Sequence, residues 1–110
     1  MSRVSHGSVT LSRRYTHPPT RVFAAFADPA ARMRWSAPAG DAIVFDAADF
    51  RVGGQDRFRC GPPPALDYVG DIRYEDIVAE RRILFVETVS HRETRLSSAL
   101  CTVELQPDDA

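Results

Sequence analysis

The chain contains no lysine; all 14 of its basic residues are arginine. That excludes Schiff-base chemistry on a lysine amine and the phosphate-binding lysine of a P-loop. A GC-rich coding bias is the simplest source of the imbalance. Cysteine is scarce: Cys60 and Cys101 are the two present. They are too few and too far apart for a disulfide framework or a zinc site, and they read as two buried, reduced thiols. Charge of one sign is also lacking. The formal net charge is -1, so no global field draws the chain to nucleic acid or to an anionic membrane. No apolar run approaches the length of a membrane span, and the N-terminal MSRVSHGSVTLSRRY has no apolar signal core. The expectation is a cytoplasmic protein with neither nucleic acid nor membrane as partner. Histidine is sparse and dispersed. His6, His17 and His91 have no metal-ligand spacing, so no metal and no cofactor is expected. His17, at a helix start, reads as a capping or positional residue. Ser97-Ser98 lacks a nucleophile-elbow context, and no helix follows Gly53-Gly54 to make a phosphate loop.

What is present suits one folded domain spanning residues 1–110. At 44% hydrophobic and 26% charged, the composition argues against disorder, and the length allows one real core. The most informative stretch is residues 17–35, HPPTRVFAAFADPAARMRW. Proline after His17 suits a first helical position, where its missing N–H costs nothing. Val22, Phe23 and Phe26 then share one side of a helix. Asp28-Pro29 ends that helix and starts a second, with Asp28 as N-cap, and Met33 and Trp35 give the second helix its apolar contacts.

Around this pair the pattern is β. Residues 8–16 alternate, with Val9, Leu11, Arg13 and Tyr15 on one face, and predict a first strand. Five more are predicted after the helices: Ile43–Phe50, Gln55–Cys60, Tyr68–Ile77, Ile83–Val89 and Leu96–Leu105. Gly53-Gly54 implies a turn or bulge needing positive φ, and Gly61-Pro62-Pro63-Pro64 a stiff loop. Ala79–Arg82 and His91–Arg95 read as polar turns. The sum is an α+β meander, mostly antiparallel.

Several elements in this order resemble one family. They are Pro18-Pro19-Thr20-Arg21-Val22-Phe23-Ala24-Ala25-Phe26, then Asp28-Pro29, then Trp35. Asp49-Phe50-Arg51-Val52-Gly53-Gly54 follows, and Gly70-Asp71-Ile72 leads to Ile83-Leu84-Phe85. The chain resembles the SRPBCC (START/Bet v 1-like) superfamily and, within it, the bacterial family like the activator of heat shock protein 90 ATPase homologue. The resemblance implies a helix-grip fold: a curved antiparallel sheet with two short helices after the first strand. It also implies a further strand and a long C-terminal helix over the concave face, closing a hydrophobic cavity. Nothing in the sequence after Ala110 supplies them. Truncation, a frameshift, or a second copy covering the face are the competing explanations. Truncation is favoured, with a homodimer over the open sheet face as its structural consequence.

The implied function is binding of a hydrophobic small molecule between sheet and helices. Trp35, Phe58, Tyr74 and Phe85 are the candidate ligand contacts; each is also an ordinary core aromatic on its own merits. The alternatives are a cyclase- or hydrolase-like enzyme working in the cavity, or an interaction module acting on a chaperone. Asp56 and Glu87 are the weak catalytic candidates. Each shares a strand face with apolar neighbours, where burial would raise its pKa, unless an arginine pairs with it.

Overall fold

A computed structural model describes residues 4–107. The two prolines and Asp28 do what their positions suggest. Helix α1 (Pro19–Ala27) begins with Pro19 in its first turn and Pro18 as N-cap. Helix α2 (Pro29–Trp35) follows directly, and the Asp28 carboxylate accepts the Ala30 N–H at 3.0 Å, satisfying one of the donors a helix start leaves open. Five strands complete the chain: β1 (Ala42–Ala47), β2 (Gln55–Gly61), β3 (Tyr68–Val78), β4 (Arg82–His91) and β5 (Thr94–Glu104). They form one antiparallel meander in the order β1-β2-β3-β4-β5. This is the helix-grip α+β arrangement. Among the described residues no helix is long and apolar enough to cross a membrane.

The alternation within the strands decides which face is buried. Ile43 and Phe45 on β1, Asp56 and Phe58 on β2, and Gly70, Ile72 and Tyr74 on β3 point to one side. Phe23 and Phe26 of α1 pack onto the resulting cluster, together with Ala37, Phe50, Phe85 and Val103. The opposite face carries arginine–carboxylate pairs. Arg59 grips Asp46 in a two-pronged contact of 2.7 and 2.9 Å, and Arg57–Asp71, Arg73–Glu75 and Arg82–Asp76 pairs lie along the same face. One side of the sheet is therefore core and the other is water-facing, as a meander with a single covered face requires.

Four expectations are corrected. Residues 8–15 form no strand, and Val9 and Leu11 are 84% and 88% exposed. A strand exists only through its ladder. The five strands pair solely with one another, so the alternating side chains of this segment have no surface to cover. The strand predicted from Ile43 to Phe50 stops at Ala47. Its register slips between Phe45 and Ala47, after which Asp49 donates its N–H to Asp56 at 2.8 Å and the Phe50 ring turns inward against Phe23 and Tyr74. His91 belongs to β4 and not to a turn; it pairs with Thr94, and its ring leans at 47° against Tyr68 with centroids 4.7 Å apart. Arg92-Glu93 makes that hairpin turn, with Arg92 at φ 55°. The two cysteines are free but half-buried, not fully buried.

Gly53, at φ 81°, makes the turn expected of the glycine pair. The loop is then hooked onto β3: Gly53 N–H donates to the Tyr74 carbonyl at 2.8 Å, and Tyr74 N–H donates to the Gly54 carbonyl at 3.0 Å. This holds Asp49 and Phe50 over Asp56 and Tyr74.

Candidate functional site

Asp56 is the one buried charged residue among the described residues, at 2% exposure. Burying a carboxylate is costly unless it is paired and hydrogen-bonded. Here both oxygens are occupied. Oδ1 accepts the Asp49 N–H at 2.8 Å. Oδ2 accepts Arg32 Nη1 at 2.6 Å and the Tyr74 hydroxyl. Arg32 Nη1 also donates to the Tyr74 oxygen at 2.9 Å. Burial first, and the Asp56 hydrogen bond next, hold the Tyr74 hydroxyl far above the ordinary phenol pKa. It stays a neutral donor at any working pH.

Arg32 reaches this position because α2 packs against β1, from where its side chain extends to Asp56 on β2. Its guanidinium lies over the Phe45 ring, with Cζ 4.5 Å from the centroid, a cation–π contact. Its backbone carbonyl accepts the Ser36 hydroxyl at 2.5 Å.

Beside this network lies a cavity of about 250 Å³. Ser36, Ala37 and Pro38, just past α2, form one wall; Ile43, Phe58 and Cys60 form a second; Tyr68, Glu87 and Val89 complete it, and Arg32 enters from the helix side. Gly70 permits its shape. A Cβ on Gly70 would stand 2.0 Å from Cζ of Phe58, so only glycine lets that ring lie across β3.

Glu87 differs from Asp56 in every respect but chemistry. It is half-buried, and among the described residues it has neither hydrogen bond nor ion pair. Burial raises its pKa, and the Arg32 charge pulls in the opposite direction. Burial likewise raises the thiol pKa values of Cys60 and Cys101, with Glu87 adding to both shifts. Cys60 and Cys101 are thus protonated thiols beside Glu87.

Of the six candidate residues, the structure brings Phe58 and Glu87 to the cavity wall. Tyr74, 3% exposed, is sealed beneath α2 in the Asp56 network. Phe85 packs edge-on to Tyr74 at 6.2 Å and joins the core. Trp35, 48% exposed, leans on Phe26 at 5.0 Å and donates its indole N–H to the Ala25 carbonyl at 3.2 Å. Arg32 went unnoticed in the sequence, where it sits between apolar residues of a short helix. The available signal was Asp56 itself. An acid on a strand face with Phe58 and Cys60 demands a cation, and α2 is the element placed to deliver one.

Residues 16–110 match the family of Activator of Hsp90 ATPase homolog 1-like proteins. The chain belongs to that family. Among solved structures the chain is similar to protein Mll3558 from Rhizobium loti. The identity is 37% and the TM-score 0.71, over 86% of this chain and 68% of that one. It is also similar to a putative uncharacterized protein from Rhizobium leguminosarum, at 31% identity and TM-score 0.72, over 87% and 64% of the two chains. Protein CV1439 from Chromobacterium violaceum is 26% identical with a TM-score of 0.78, over 88% and 67%. This member thus spans about two thirds of the length of these relatives. No curated protein matches it. For this family member, Phe58 and Gly70 are the pair that opens the cavity, and Arg32 is the residue that joins α2 to the sheet.

Proposed function

We propose that the protein binds a small, largely apolar molecule in the cavity between α2 and the sheet. The observation that carries this reading is the cavity itself: about 250 Å³, walled mainly by Ile43, Phe58, Val89, Ala37 and Pro38, with Arg32 and Glu87 as its charged groups. Apolar walls with a few placed polar groups are the usual composition of a small-molecule site. The test is a panel of single-ring and short-chain compounds, followed by melting temperature and by amide shifts of Phe58, Cys60 and Val89. Binding is expected in the wild type and its loss in Val89→Phe, which fills the space. A panel without any bound compound rejects the reading.

Glu87 supports a second reading, an enzyme acting within the cavity. A carboxyl with no hydrogen-bonded partner among the described residues, its pKa raised by burial, is the kind of group that general acid–base chemistry uses. Asp56 does not, because three donors hold it. An activity that survives unchanged in Glu87→Gln rejects this version.

A further inference from the structure

Arg32 and Glu87 line one cavity and make no ion pair with each other. Both hydrogen bonds of the Arg32 guanidinium leave from Nη1, so the Nε and Nη2 donors have no hydrogen-bond partner among the described residues. The Glu87 carboxyl likewise has no hydrogen-bonded partner among them. The two residues therefore line the same space, each with unused hydrogen-bonding capacity.

The groups around Glu87 narrow what fits between them. Arg32 approaches from α2, Cys60 from β2 and Cys101 from β5; both thiols are protonated. The Arg32 charge is already balanced by Asp56 at 2.6 Å. A ligand carboxylate would accept from Arg32 but set a second carboxyl against Glu87. An ammonium would pair with Glu87 but face the guanidinium. A hydrocarbon would bury both groups without partners, which costs their desolvation. A hydroxyl accepts and donates through one oxygen, and meets both needs without adding charge.

Size sets the rest of the molecule. A cavity of roughly 150 Å³ holds benzene; the space here, about 250 Å³ and partly open to solvent, has room for one ring with short substituents. The Phe58 ring, Ile43 and Val89 supply its apolar contacts.

We infer that the site selects a hydroxyl-bearing single-ring compound, a phenol or cyclic alcohol, whose oxygen bridges Arg32 and Glu87; this rests on the cavity-binding reading above. The experiment is an NMR titration of the intact chain with para-ethylphenol, para-ethyltoluene and para-ethylbenzoate. It is run on the wild type, Glu87→Gln and Glu87→Met. The phenol is expected to bind the wild type about tenfold more tightly than the hydrocarbon, the discrimination of one hydrogen bond to a charged group. That preference falls in Glu87→Met, where only the Arg32 donor is left to the hydroxyl, and falls less in Glu87→Gln, which keeps the shape and an acceptor and so covers a methionine variant that fails to fold. Equal binding of phenol and hydrocarbon by the wild type, tightest binding of the benzoate, or a preference that survives undiminished in the folded Glu87 variants overturns the inference while leaving a binding cavity. If none of the three compounds moves the cavity amides, both the inference and the reading beneath it fall.

Discussion

Asp56 and Glu87 occupy one row across the sheet. Asp56 pairs with Ile72, and Ile72 pairs on its other side with Glu87. At the usual strand spacing the two backbones lie about 10 Å apart. One carboxylate is sealed and held by three donors; the other is half-buried and has no hydrogen-bond or ion-pair partner among the described residues. The difference comes from what lies above them. Asp56 sits under α2 and the loop carrying Asp49 and Phe50, which deliver Arg32 and a backbone N–H to it. Glu87 makes no hydrogen bond to either; it lines a cavity that Arg32 also enters, next to a β5 strand whose residues are mostly exposed. The same residue class on the same face is thus a structural pin on one side of Ile72 and an accessible group on the other.

The harshest way to break the comparison is to give Asp56 the surroundings of Glu87. Arg32→Ala leaves a buried carboxylate without its cation, and removing one partner of a buried pair costs about 3–5 kcal/mol. Urea denaturation at neutral pH should show that loss, and a change under about 1 kcal/mol would mean that Asp49 and Tyr74 suffice. Gly70→Ala comes next. The new methyl meets the Phe58 ring at 2.0 Å, and overpacking of this kind costs about 1–3 kcal/mol. Because the displaced ring also forms the cavity wall, cavity ligands should weaken in the same variant. Loss of stability with binding intact would separate the ring from the site. Tyr74→Phe is milder: it removes one hydroxyl from the Asp56 network at a cost of about 1–2 kcal/mol, read by the same denaturation experiment.

These expectations rest on contacts that the sequence reveals unevenly. The strand faces were legible, because Asp56, Phe58, Ile72 and Tyr74 alternate with charged neighbours, and a period of two follows from backbone geometry. The break between the helices was legible because Asp28-Pro29 is a local signal. The strand predicted at residues 8–16 shows the limit of alternation: it reports which side chains share a face, not whether a partner edge exists. The cavity was out of reach for a related reason. Trp35, Phe58, Tyr74 and Phe85 are equivalent as aromatics on amphipathic elements. Only the crossing of α2 over β1 and the flat Phe58 ring above Gly70 distinguish a wall from a core. Arg32 was hidden because its role depends on a residue 24 positions away.

The gentlest test gives Glu87 an uncharged side chain. Burial raises its pKa above the usual 4.5, so the folded state holds its proton more tightly than the unfolded chain does. At pH values above the folded pKa, both states are ionised and the fold bears the full penalty of a partly desolvated charge. As pH falls through that pKa the folded carboxyl takes up a proton and the penalty fades; below the unfolded value near 4.5 it is gone. Glu87→Gln should therefore melt higher than the wild type at neutral pH, by less than about 1 kcal/mol for one half-buried group. The gap should close as the pH approaches 4.5. Asp56→Asn should destabilise at neutral pH, because it removes the charge that Arg32 is there to meet. Opposite signs for two conservative carboxyl-to-amide changes on either side of Ile72 follow from burial without an ion pair at Glu87 and from the Arg32 pairing at Asp56. Equal signs would mean that the helix above the sheet does not decide which acid is held and which is free.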